Sequence, residues 1–144
     1  MKSISHSIGE TEKIAKKFID GLIPGKTATV VGLSGNLGSG KTTFVQAIAK
    51  ILGVTESITS PTFVLMKFYE IQNDNYKKLV HIDAYRLEHG KELEKLRVKE
   101  VFSDPKNLVF IEWPENVKSV LPKNIRTMKF EFVDEKTRAI QIVD

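Results

Sequence analysis

The segment Gly35-Asn36-Leu37-Gly38-Ser39-Gly40-Lys41-Thr42 constrains this chain more than any other stretch. It meets the spacing G-x-x-x-x-G-K-[ST]. Phosphate oxygens are bound by several backbone N–H groups converging on one point. That demands residues without obstructing side chains, followed by a helix whose N-terminus favours an anion. Gly35, Gly38 and Gly40 supply the permissive backbone, Lys41 a point charge for terminal phosphates, and Thr42 a hydroxyl for a hard cation such as magnesium. The whole run from Gly35 to Thr43, with Asn36, Leu37 and Ser39 included, is the candidate cradle for ATP or GTP.

Such a loop requires a buried strand before it and a helix after it, and both are written in the flanks. Thr27 to Leu33 is a nearly unbroken β-branched and apolar run, as in a strand covered on both faces. Thr43 to Leu52 carries Phe44, Val45, Ile48, Ala49 and Leu52 at helical spacing and stops at Gly53. Upstream, Ser7 and Glu10 have capping-box spacing ahead of a helical pattern that ends at Gly21. Downstream, Phe63 to Tyr69 and Lys78 to Ile82 read as an antiparallel hairpin across Asn73-Asp74-Asn75. A helix from about Lys91 to Phe102, a buried strand from Leu108 to Glu112, and a closing strand pair from Ile125 to Val133 and Thr137 to Val143 complete the pattern. The expected fold is α/β: a P-loop NTPase-like domain, 1–144, with a mixed central sheet and flanking helices. Its 144 residues and 41% hydrophobic content suit one core. There is no cysteine, which excludes disulfides and thiolate metal sites, and no apolar run of membrane-spanning length, so a cytoplasmic protein is expected. A net charge of +4 permits an anionic ligand without demanding one.

A P-loop needs a carboxylate at the end of a neighbouring strand to hold magnesium, directly or through water. Asp83 follows Val80-His81-Ile82 and Glu112 follows Leu108-Val109-Phe110-Ile111, so both are candidates. Thr62, in Thr59-Ser60-Pro61-Thr62, stands where a hydroxyl can follow the terminal phosphate. His81 lies two residues before Asp83 and shares its strand face, and with no second histidine nearby it reads as a hydrogen-bonded structural residue rather than a zinc ligand.

Four motifs in order give the chain a resemblance. Gly35 to Phe44 is similar to GDLGAGKTTF, Ser60-Pro61-Thr62-Phe63 to SPTF, His81-Ile82-Asp83-Ala84-Tyr85-Arg86 to HxDxYR, and Glu112-Trp113-Pro114-Glu115 to EWPE. Together they resemble the TsaE (YjeE) family of small bacterial ATPases of tRNA threonylcarbamoyladenosine biosynthesis, modification at tRNA position 37. The resemblance implies slow ATP hydrolysis with magnesium, in a complex with partners of the TsaB and TsaD type that bring any tRNA contact. It implies that Thr42, Asp83 and Glu112 surround the metal, that Lys41 meets the phosphates, and that Thr62 belongs to a nucleotide-responsive switch; Lys41, Asp83, Glu112 and Thr62 are thus the catalytic candidates. It further implies that Thr11 and Arg138 lie on the base side. The chain departs from the family at Asn36, where an aspartate is usual, at Ser39, where alanine is usual, and at Arg97, where a glycine is usual. Two other functions use the same loop: a small-metabolite kinase and a non-catalytic, nucleotide-gated binding module. Kinases close an arginine-bearing lid over the phosphates, and Arg86, Arg97, Arg126 and Arg138 are scattered in sequence.

Overall fold

The computed structural model describes residues 2–58 and 65–143. The chain runs β1 (Lys2–Ser5), α1 (Ile8–Asp20), β2 (Thr29–Ser34), α2 (Lys41–Ile51), β3 (Met66–Glu70), β4 (Lys78–Asp83), α3 (Lys91–Lys95), α4 (Val98–Ser103), β5 (Asn107–Glu112), a 3-10 stretch (Pro114–Val120), β6 (Arg126–Phe132) and β7 (Arg138–Val143). The strands form one seven-stranded sheet in the order β1-β7-β6-β2-β5-β4-β3. β2 pairs parallel with β5 and β6, and β4 parallel with β5; the outer pairs β1·β7, β6·β7 and β3·β4 are antiparallel. The sheet is therefore mixed, as expected, with a parallel centre whose strand ends all point the same way.

Alternation along the central strands divides the core in two. Val31 and Leu33 of β2, Leu79 of β4, Leu108 and Phe110 of β5, and Met128 and Phe130 of β6 pack with α1 and α2. Val30, Val80, Ile82, Val109 and Ile111 face the opposite layer with α3, α4 and the 3-10 stretch. Phe44 of α2, fully buried, meets Phe18, Phe110 and Phe130 at ring-centroid distances of 6.1, 6.3 and 5.4 Å. Such pairs contribute about 0.5–1.5 kcal/mol each beyond area burial, so α1, β5 and β6 jointly fix the roll of the helix that follows the glycine loop.

Ser7 caps α1, its side chain accepting from Glu10 N at 3.1 Å, while Glu10 Oε2 accepts from His6 N, one residue earlier than the reciprocal bond of a standard capping box. The segment expected as one helix from Lys91 to Phe102 is two short helices, because Arg97 between them adopts a left-handed conformation, φ 60° and ψ 41°. A glycine would take that conformation without strain. β1 lies outside the expected set: it is a four-residue edge strand in which only Ser5 is buried, too short and polar to show a period. β3 is described from Met66, and the expected start at Phe63 lies outside the described residues.

Candidate nucleotide site

β2 ends at Ser34 in the sheet centre, and the chain turns through Gly35 to Gly40 into α2. Gly35 passes over β6 so closely that a Cβ there would sit 2.4 Å from the Phe130 carbonyl oxygen. Gly38 and Gly40 have φ of 77° and 103°. The loop thus has its tight path because three positions lack a side chain, and the side chains of Asn36 and Leu37 project to solvent while the backbone forms the concave side.

Lys41 opens α2 and folds back over the loop. Its Nζ donates to the carbonyls of Gly35 and Asn36, the latter at 3.1 Å, and lies 4.3 Å from the centre of the Trp113 ring. Burial holds its pKa below the ordinary lysine value, opposed by the carboxylates of Glu112, Glu115 and Asp83. Its neighbour Thr42 donates from Oγ1 to both oxygens of Glu112, at 3.1 and 2.9 Å. Glu112 and Asp83 are register partners at the ends of β5 and β4, and both are buried. Tyr85 N donates to Asp83 Oδ1 at 3.0 Å, and Ala84 N to the Glu112 carbonyl at 3.0 Å, so the two strand ends are tied where the chain leaves them. His81 is fully buried, with Nε2 2.6 Å from Glu112 Oε2, a hydrogen-bonded residue as its lone position implied.

These residues surround a cavity of about 530 Å³ lined by Gly38, Lys41, Thr42, Asp83, Glu112 and Trp113, with Arg86 and Arg138 also on its wall. A second cavity, about 380 Å³, adjoins it across Gly40, Thr43 and Arg138, and contains Ser5, Thr11 and Lys136. Thr11 is buried against Ser5, Oγ1 to Oγ 2.7 Å. Arg138 donates to the carbonyls of Asp134 and Thr137 and lies 4.7 Å over the Phe132 ring, with its aliphatic stem beside Gly40. Thr11 and Arg138, 127 residues apart, therefore share one cavity. Arg86 and Arg138, distant in sequence, share the other. Thr62 lies outside the described residues.

An oxygen-only donor set of one hydroxyl and two carboxylates suits a hard cation such as magnesium, and a glycine cradle at a helix N-terminus suits phosphate. Sequence reasoning did not anticipate the Lys41–Trp113 contact. Trp113 adopts a left-handed backbone conformation (φ 61°), and its ring is 5.1 Å from that of Tyr85. The adjacency of Trp113 to Glu112 was the available signal, but the turn that aims the ring back at the loop has no mark in the sequence.

A family model described as threonylcarbamoyl adenosine biosynthesis protein TsaE matches residues 5–140. The chain is 35% identical over 144 residues to the tRNA threonylcarbamoyladenosine biosynthesis protein TsaE of Rickettsia bellii, spanning 99% of this chain and 94% of that one. It is 35% identical over 141 residues to the protein of the same name from Aquifex aeolicus, spanning 96% and 92%. The crystal structure of Bacillus subtilis YdiB superposes with a TM-score of 0.76 at 28% identity, covering 99% of this chain and 83% of that one.

Proposed function

The chain belongs to the TsaE family of tRNA threonylcarbamoyladenosine biosynthesis proteins, and on that premise we propose that it binds magnesium ATP at the Gly35–Thr42 loop and hydrolyses it slowly to drive or reset the modifying complex. The observation that carries this reading is the Thr42–Glu112 contact: the hydroxyl donates its hydrogen to the carboxylate, which leaves its oxygen lone pairs for a cation at the mouth of the phosphate cradle.

Thr42, Asp83 and Glu112 would hold magnesium, bridged directly or through water. When bound, magnesium neutralises charge on the β- and γ-phosphate oxygens. The rest belongs to the protein. Backbone amides from Gly38 to Thr42 and the Lys41 ammonium stabilise charge on the transferring phosphoryl group. Lys41 has only to exchange the loop carbonyls of Gly35 and Asn36 for phosphate oxygens, a short movement of a flexible side chain. The neighbouring cavity, with Thr11 and Arg138, takes the base and ribose end.

The arrangement supports a turnover that is slow. Both Glu112 oxygens already accept hydrogen bonds, from Thr42 and His81, and one Asp83 oxygen accepts from Tyr85 N. Each of these oxygens keeps a lone pair for a cation, but held in this way the carboxylates are poor bases for an attacking water, so hydrolysis is slow until a partner brings a residue that orients that water. Partners of the TsaB and TsaD type are the proteins in question.

The test is incubation with γ-labelled ATP and magnesium, alone and with those partners. Slow phosphate release that rises with the partners is the expected result. Label transferred to a metabolite would replace this reading by a kinase, and binding without turnover in either condition would replace it by a nucleotide-gated module. Lys41→Ala is expected to weaken ATP binding at least about tenfold, in keeping with loss of a charge-assisted contact; unchanged affinity would remove the site assignment.

A further inference from the structure

His81 is a fully buried ionisable side chain of the central strands to which the mechanism above gives no role beyond its hydrogen bond to Glu112. It stands in β4 between Val80 and Ile82, on the same strand face as Leu79 and Asp83. An apolar residue would satisfy packing there. A histidine instead leaves Nδ1 buried with no hydrogen-bond partner among the described residues, at a cost on the order of 1–3 kcal/mol for an unmatched buried polar atom. The return for that cost is one contact, Nε2 to Glu112 Oε2 at 2.6 Å. A carboxylate offers only lone pairs, so the hydrogen in that bond belongs to the ring.

The bond closes a chain of three side chains from three elements. His81 of β4 donates to Glu112 of β5, and Glu112 accepts from Thr42 at the start of α2. Thr42 Oγ1 can turn its lone pairs to a cation only while its hydrogen is directed at Glu112, and Glu112 keeps that direction while Oε2 is held from the other side. Without His81, Oε2 in a buried site would lose a donor and the carboxylate would rotate to find another.

We propose that His81 is a positioning residue that orients Glu112 toward Thr42 and thereby sets the affinity of the site for its divalent cation, while leaving metal-free nucleotide binding unaltered. This rests on the reading of Glu112 as part of the cation shell.

The test uses the full chain with His81→Gln, His81→Asn and His81→Leu, and Glu112→Ala as reference. A glutamine carries its amide nitrogen about as far from the backbone as imidazole Nε2, whereas asparagine reaches only as far as Nδ1. Phosphate release at saturating ATP is measured against magnesium concentration, ATP binding is measured in EDTA, and urea unfolding is measured for each variant. His81→Gln is expected to stay within about threefold of the parent in half-saturating magnesium; His81→Asn and His81→Leu are expected to need about tenfold more, the size of effect typical for loss of a group that orients a metal ligand. Binding in EDTA should be the same in all four proteins that keep Glu112. If His81→Leu does not fold, the glutamine and asparagine variants decide, since both are polar and smaller than the ring. Equal magnesium dependence for these two, or a parent-like dependence in His81→Asn while Glu112→Ala is shifted, overturns the role of His81 alone. A parent-like dependence in Glu112→Ala instead overturns the cation-shell reading on which it rests.

Discussion

Gly35→Ala is the sharpest perturbation of the phosphate cradle, because the obstacle is backbone. A Cβ at Gly35 would meet the Phe130 carbonyl oxygen at 2.4 Å and Ser39 Oγ at 2.7 Å. Restoring ordinary contact needs a retreat of about 1 Å, and overpacking of that size in a tight interior costs about 1–3 kcal/mol. The serine hydroxyl can rotate away. The carbonyl cannot, since Phe130 is paired with Ile140 of β7 and its ring packs on Phe44. The loop is therefore the part that yields, lifting off β6.

Gly38→Ala is the control. Nothing lies within 4 Å of a Cβ at Gly38, although its φ is 77°, so the cost there is positive-φ strain of about 1 kcal/mol, which Gly35 at φ 153° also carries, and only the clash with β6 separates the two variants. For Gly35→Ala we expect a loss of about 2 kcal/mol in urea unfolding, or a fall in Tm on the order of 6 °C. ATP affinity should drop by up to about a hundredfold, because a displacement near 1 Å misaligns the amides that converge on phosphate. Gly38→Ala should lose about half as much stability. Equal stability loss in the two variants would refute the claim that β6 sets the height of the loop.

Other consequences follow from single residues. Arg97→Gly should stabilise the protein by up to about 1 kcal/mol in urea unfolding, because Arg97 is exposed and left-handed; a destabilised variant would mean that the arginine side chain supplies a contact that outweighs the strain. Thr42→Val keeps the shape but removes the donor to Glu112; a stability loss of about 1–2 kcal/mol is expected, with magnesium-dependent turnover abolished, and Thr42→Ser should restore turnover. Lys41, whose pKa is lowered chiefly by burial, releases its proton in the folded state below the pH at which it does so unfolded. The unfolded state then binds more protons, so stability relative to Lys41→Met should rise as pH climbs through the folded-state value toward the ordinary lysine pKa. A difference that falls with pH in parallel urea titrations would contradict the burial argument.

Long periodic segments carried the fold. α1, β2, α2, β4 and β5 each have enough apolar residues at one period to be located from the chain alone, and β6 and β7 follow from a strand pair with a turn between them. The errors fall where conformation is decided by one residue or by a neighbour. β1 is a strand because β7 offers it an edge, with Lys2 opposite Gln141 and Ser5 opposite Arg138. The break at Arg97 lies within a helical pattern, and an arginine carries no local mark of a left-handed backbone. Trp113 is the same case at the candidate site.

The site was legible in its parts and not in its couplings. Strand alternation already places His81 with Asp83 on one face of β4, and Phe110 with Glu112 on one face of β5. Which face meets α2 is a property of the sheet order: β5 lies between β2 and β4, so the strand end nearest Thr42 belongs to Glu112 and the next to Asp83. Thr42 and Glu112 are 70 residues apart, and no local pattern links them. The same order makes the two carboxylates unequal, which their matching positions at strand ends could not reveal. Glu112 is bonded directly to the P-loop threonine, whereas Asp83 stands one strand further out and is fixed by the amide of Tyr85. We therefore expect Asp83→Asn to raise the magnesium needed for half-maximal phosphate release less than Glu112→Gln does, because only the inner carboxylate determines where the Thr42 hydrogen points; a larger shift for Asp83→Asn would refute this ordering.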